Sequence, residues 1–126
     1  MAKLRVDAKS PMPLHAQIGE QIQLAIARGE LAEGEQLPTV RELSVTLKVN
    51  SNTVARVYAE LERAGVLETQ RGRGSFVRIR PRIALATREK RLSSLCRAFV
   101  SSCAREGYTL AEVRSAVAQL DQEVAK

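Results

Sequence analysis

Apolar residues recur at helical spacing in five stretches of the chain, separated by capping residues, glycines and prolines. After the lead Ser10–Pro13, the residues Leu14, Ile18, Ile22, Ala25 and Ile26 give one apolar stripe and predict a helix from about Leu14 to Arg28. Gly29 and Gly34 then punctuate a loop. Pro38-Thr39-Val40-Arg41-Glu42 reads as a helix start, with Thr39 as the cap and Glu42 reaching back to it in a capping box. That helix is short, ends near Lys48, and turns Val40, Leu43 and Leu47 inward. Asn50 or Ser51 caps the next, which runs through about Ala64 with Val54, Val57, Tyr58 and Leu61 facing inward and Gly65 as its stop.

The period then changes from helix to strand. Val66–Thr69 and Ser75–Ile79 have strand character, and Gln70-Arg71-Gly72-Arg73-Gly74 between them is a glycine-rich hairpin carrying two arginines. Three helices, the last two joined by a tight turn and followed by a basic hairpin, describe a winged helix-turn-helix. Beyond Pro81 a second unit begins. Leu92, Leu95, Cys96, Phe99, Val100 and Cys103 line one face of a helix over about Ala84 to Arg105, which Gly107 ends. Thr109 and Glu112 form a second capping box. Leu110, Val113, Val117, Leu120 and Val124 then make a short heptad-like seam. The fold class is therefore mainly α with a small β-hairpin wing: a winged helix-turn-helix domain over residues 1–80 and a two-helix dimerisation region over residues 81–126. About 45 residues lie near the lower limit for an independent core, so the seam residues Leu92, Leu95, Phe99, Leu110, Val113, Val117 and Leu120 need a partner surface.

Composition agrees with helical packing, since aromatic residues are only 3% and the core must come from Leu, Val, Ile and Ala. Charge adds more. Between Glu68 and Arg91 lie Arg71, Arg73, Arg78, Arg80, Arg82, Arg88, Lys90 and Arg91 against Glu68 and Glu89, an excess of six that equals the formal net charge of +6 for the whole chain. So focused a positive stretch is the footprint of a polyanion-binding surface. No apolar run is long enough for a membrane span and the first ten residues lack a signal-peptide core, so a cytoplasmic location is expected.

The sequence resembles the GntR superfamily of bacterial regulators. The matching segments are Pro13-Leu14 with Gln17-Ile18; Gly29-Glu30-Leu31 with Gly34; Leu37 to Leu43; Val49-Asn50-Ser51-Asn52-Thr53-Val54; Leu61-Glu62 with Gly65; and Gly72 to Val77. The two-helix tail and Asn50 to Val54 resemble the YtrA-type subgroup, whose C-terminal region is short. Many other GntR proteins carry arginine at the positions of Ser51 and Ala55, so arginine readout from those two positions does not carry over. The resemblance implies a DNA-binding transcriptional regulator, most naturally a repressor, that binds a palindromic operator as a homodimer.

The DNA-binding set expected from residues and resemblance together is Arg41, Asn50, Ser51, Asn52, Thr53, Arg56, Arg71, Gly72 and Arg73. Arg41 stands in the first turn of its helix, where a cation opposes the helix dipole and an external anion or guanine edge is its natural partner. Asn52 and Thr53 open the recognition helix, with one of the two available as a cap; Arg56 lies off the apolar stripe. Arg71 and Arg73 flank Gly72, where a bare backbone approaches phosphates and arginines enter a minor groove. Tyr58 has core spacing, and Glu60, Glu62 and Glu68 read as solvated surface. His15 stands alone. Cys96 and Cys103 read either as buried small hydrophobes or as thiols for redox sensing or an interchain disulfide. No nucleophile–base pair, phosphate loop or metal cluster argues for an enzyme, and no cofactor or metal is expected. A tail of this length offers little room for an effector pocket, so a small-molecule effector is not indicated.

Overall fold

The computed structural model describes residues 3–80 and 85–122. The chain forms two compact units, Met1–Arg80 and Pro81–Lys126. The first contains α1 (Leu14–Ala27), α2 (Val40–Leu47), α3 (Ser51–Arg63), β1 (Leu67–Gln70) and β2 (Gly74–Val77); the second contains α4 (Leu85–Arg105) and α5 (Leu110–Gln122).

In the first unit α3 packs against α1, α2 and β1. Its stripe of Val54, Val57, Tyr58 and Leu61 joins Ile18, Ile22 and Ala25 from α1, Leu43 and Leu47 from α2, and Leu31, Leu37, Leu67 and Val77 in one buried cluster. Each fully buried side chain of this size stabilises the fold by roughly 1.5–3 kcal/mol. These are the stripes that the apolar spacing predicts.

The turn between α2 and α3 is tight because both helix ends are closed locally. Lys48 takes the left-handed conformation (φ 57°), which brings the Val49 N–H to the Ser44 carbonyl at 3.0 Å. Among the described residues Lys48 is the sole non-glycine with positive φ, a conformation that costs a side-chain-bearing residue about 1 kcal/mol. Asn50, rather than Ser51, caps α3, its side-chain oxygen accepting the Asn52 N–H at 2.7 Å.

The hairpin pairs Leu67 with Val77, Glu68 with Phe76, Thr69 with Ser75 and Gln70 with Gly74. β1 has the predicted length but starts one residue later, and β2 starts one residue earlier and ends two residues sooner than the sequence pattern predicts. Val66 donates its N–H to Leu61 as part of the α3 ending, and β2 stops at Val77, leaving Ile79 exposed. A further segment completes the wing. Gly34 donates to the Val77 carbonyl (2.8 Å), Val77 to Glu35 (2.9 Å) and Leu37 to Ser75 (2.9 Å), with Gln36 bridging Phe76. The sequence pattern marks this stretch only as a loop.

The N-terminal segment is also held. Leu4 and Val6 pack on the core, and the Gln17 amide donates to the carbonyls of Asp7 (2.9 Å) and Met12 (2.8 Å) while its oxygen accepts the Asp7 N–H (2.8 Å). Gln21, one turn on, makes the same exchange with the Arg5 backbone. Two glutamines thus act as a strand edge for residues 5–7.

In the second unit α4 packs against α5 across a turn in which Gly107 has φ +94°. Thr109 and Glu112 exchange the two expected capping bonds, at 3.0 and 3.2 Å. Val113 is buried, whereas Leu92, Leu95, Phe99, Leu110, Val117 and Leu120 are exposed. Cys96 is exposed and Cys103 half-buried, so of the two readings of these thiols, burial as small hydrophobes is not found within the protomer. Two helices cover only the strip along which they touch, and Cys96 lies off it. The seam position Val124, Arg82 and the expected helix start at Ala84 lie outside the described residues.

Candidate nucleic-acid interface

The inward stripe of α3 determines what its other face carries. Asn52 and Arg56 stand one helical turn apart, exposed, with Ala55 and Ala59 beside them. The two alanines let this helix surface approach another closely. Because Asn50 supplies the cap, the side chains of Asn52 and Thr53 are not spent on capping; Ser51 is exposed and Thr53 half-buried. Arg56 is not free, since its Nε donates to Glu60 Oε1 at 2.9 Å. That bond holds the Glu60 carboxyl below its usual range. Glu62 likewise accepts from Thr69 at 3.0 Å, so neither acid is merely solvated as the sequence reading had it. An exposed pair such as Arg56–Glu60 is weak and opens readily to a competing anion.

Arg41 lies in the first turn of α2, exposed, and no described residue holds its guanidinium. The capping box beneath it is complete: Thr39 donates its N–H to Glu42 Oε1 (2.9 Å) and Glu42 donates its N–H to Thr39 Oγ1 (3.0 Å). The backbone N–H of Thr39, and then its side chain, keep the Glu42 carboxyl below its ordinary value. α2 is tied to α3 by the Tyr58 hydroxyl, which donates to the Pro38 carbonyl at 2.7 Å. Burial pushes the Tyr58 phenol far above its usual range, with the Glu42 charge adding to it, so Tyr58 stays a donor.

At the hairpin tip the two arginines differ. Arg73 donates from its guanidinium to Gln70 Oε1 (2.8 Å) and lies 5.4 Å from the centre of the Phe76 ring, a cation–π arrangement. Arg71 is exposed and unheld, and Gly72 has φ +76° with open space where a Cβ would stand. All nine sequence-predicted contact residues therefore belong to the first unit, on the start of α2, the first turns of α3 with their cap, and the hairpin tip. Gln36, which donates from Nε2 to the Arg73 carbonyl at 2.7 Å, is not indicated by the sequence pattern, because a four-residue pairing segment has too little periodicity to read. The basic run of the sequence divides: Arg71, Arg73, Arg78 and Arg80 fall in the first unit, and Arg88, Lys90 and Arg91 on α4.

The predicted dimerisation side chains belong to the second unit. A groove of about 450 Å³ there is lined by Phe99, Cys103, Tyr108, Val113, Val117 and Leu120 among others. His15 lines a shallow groove between α1 and α3 with Glu20 and Glu60. Among the described residues no three His, Cys, Asp or Glu side chains gather in a way that could hold a metal, and no helix is long and apolar enough to cross a membrane.

The model of the bacterial regulatory proteins of the gntR family matches residues 14–77, from the first residue of α1 to the last of β2. This chain belongs to the GntR family. It is a DNA-binding transcriptional regulator and not an enzyme. It is 37% identical over 105 residues to the HTH-type transcriptional regulator YhcF of Bacillus subtilis, covering 83% of this chain and 87% of that protein. It is 40% identical over 74 residues to the HTH-type transcriptional repressor YtrA of the same organism, covering 59% of this chain and 57% of the repressor. Among solved structures, YtrA from Sulfolobus acidocaldarius, a GntR-family transcription factor, is 34% identical with a TM-score of 0.57, covering 75% of this chain and 94% of that one. The AraR DNA-binding domain in complex with operator ORX1 is 26% identical with a TM-score of 0.55, covering 61% of this regulator and 98% of that chain.

The capping box makes the regulator's stability depend on pH in a defined sense. With the Glu42 carboxyl lowered in the folded state, its contribution is complete above the ordinary carboxylate value of 4.5 and is lost as pH falls through the lowered one. Glu42→Ala, which removes the carboxylate that accepts the Thr39 N–H, should cost about 1 kcal/mol at neutral pH, and the gap from the parent should narrow in acid. Urea unfolding at pH 7 and pH 3.5 checks this; a gap independent of pH would show that the reciprocal bond does not matter.

Proposed function

We propose that this GntR regulator binds a two-fold-symmetric operator as a homodimer and represses transcription by occluding a promoter. The observation that carries the dimer is the apolar face of the second unit. Leu92 and Phe99 are 63% and 55% exposed on helices whose one buried side chain is Val113, at 9%. Leu95, Leu110, Val117 and Leu120 extend that face. A contiguous apolar surface of this kind on a small unit marks an association site, and a second copy of the same face satisfies it by two-fold symmetry. The groove beside Val113 is part of the same surface, so a partner copy fills it.

On the DNA side, Asn52 and Thr53 read base edges from the first turns of α3, with the flat Ala55–Ala59 strip admitting the helix to the major groove. Arg41 takes a guanine edge or phosphate beside it, and Asn50 and Ser51 offer backbone and hydroxyl donors at the helix start. Arg56 exchanges Glu60 for a phosphate. Arg71 and Gly72 enter the neighbouring minor groove while Arg73 shapes the tip. The operator complexes of the AraR domain and the repressor role of the Bacillus relative support this reading.

Contacts of these kinds separate affinity from specificity. If a dimer neutralises roughly 8 phosphates, log K should fall against log[salt] with a slope near −7, and a slope shallower than about −2 would remove the arginines from the binding surface. Arg71→Ala should weaken binding to every sequence. Arg41→Ala and Asn52→Ala should instead lose about 1–3 kcal/mol of discrimination between the operator and a mutated site. Equal losses on specific and random DNA for all three would contradict the division.

Leu95 and Phe99 are more than half exposed in the protomer, so replacing both with Asp leaves the buried Val113 in place and puts charges in the proposed interface. Sedimentation should then find a monomer, and the variant should bind a full operator only at half-site strength, because the second half-site loses its high effective concentration. A variant that stays dimeric and binds the full operator normally would mean that the first unit dimerises by itself.

A further inference from the structure

The wing tip is held from outside the hairpin, and the residue that holds it comes from the segment leading into α2. Gln36 has its backbone bridged to Phe76, and its neighbours Glu35 and Leu37 bond to Val77 and Ser75, so the position of its Cα is fixed by β2. From there the side-chain amide reaches across the tip and donates to the Arg73 carbonyl at 2.7 Å. Gly74 makes room for it: a Cβ at that residue would stand 2.9 Å from Gln36 Nε2, and its φ of +119° is one that side chains rarely adopt. The tip is thus gripped on both sides of Arg73, by Gln36 on the carbonyl and by Gln70 and Phe76 on the guanidinium.

From this geometry we infer that Gln36 is a positioning residue for DNA binding. It pins the hairpin tip to the segment that opens α2, so that Arg71 and Gly72 meet the DNA at a fixed place relative to Arg41 and α3. The inference rests on the reading that the wing contacts DNA. Three physical points support a positioning role over a purely structural one. Gln36 is exposed and outside the core cluster, so it contributes nothing to burial. Its side-chain bond goes to the backbone of the tip, at the carbonyl of Arg73 between Gly72 and Gly74. And the bond crosses 37 residues of chain, so it joins two parts of the interface that no local turn connects. A tip that wanders before binding must be ordered when it binds, and that ordering is subtracted from affinity.

Gln36→Met tests this, since methionine keeps the length, adds no charge and removes only the donor. Amide hydrogen exchange should accelerate at residues 71–74 while the α3 amides keep their protection. Affinity for operator DNA should fall about three- to tenfold, as for one lost hydrogen bond, with the salt slope unchanged because no cation is removed. Arg71→Ala, measured beside it, should weaken binding and also make the slope shallower by about 2, since each dimer loses two Arg71 side chains. Should Arg71→Ala leave binding as it was, the wing reading itself falls and the inference with it. Should Arg71→Ala weaken binding while Gln36→Met has parent affinity or parent exchange at the tip, the wing reading stands and the pinning role of Gln36 is overturned.

Discussion

The pairing of residues 34–37 with β2 is the constraint on which the rest of the first unit depends. Those four residues give the hairpin a third backbone partner, and the same stretch continues through Leu37 and Pro38 into the Thr39 cap of α2. Leu37 is buried in the core, and the Pro38 carbonyl accepts the Tyr58 hydroxyl from α3. One short extended segment therefore has the wing on one side, α2 at its end and α3 against its flank. A two-stranded hairpin alone is marginally stable in water, and this one gains its fixed place from that third partner.

Within such a frame the charged residues divide by how far the protein already satisfies them. Arg41 and Arg71 have no partner among the described residues, while Arg56 and Arg73 rest on Glu60 and on Gln70 with Phe76. Unheld cations on a rigid scaffold are ready for an external anion. Those already paired are held in place by weak exposed bonds, which keeps this surface ordered. The second unit presents the opposite surface chemistry, apolar side chains without enough protein of their own to cover them.

The helices were legible because each buries a continuous stripe: Ile18, Ile22 and Ala25, then Val54, Val57 and Leu61, occupy core positions that their spacing alone indicates. The caps at Thr39 and Thr109 were legible for a similar reason, as both bonds of a capping box join residues three apart. Features made by distant pairing were not. Gln36 meets Arg73 across 37 positions, and Gln17 and Gln21 grip backbone 10 and 16 residues away, so no local pattern announces either. Lys48 shows a different limit: glycine marks a left-handed helix end, and a lysine there hides it. For Cys96 the spacing left two readings open, because helical periodicity indicates which face is apolar but not whether anything lies against it. Of the candidate site, the residue types and their elements were legible; the internal bonds of Arg56 and Arg73 were not.

We propose that the start of α2, the first turns of α3 and the hairpin tip form one preorganised DNA-reading surface. The most direct measurement is to follow backbone amide resonances while the intact protein is titrated with an operator duplex selected from genomic DNA. Shifts should concentrate at residues 41, 50–56 and 71–73 and move together along one binding isotherm, with the outer face of α1 undisturbed. Shifts centred on α1 or α4, or wing resonances that follow a separate isotherm from those of α3, would contradict it.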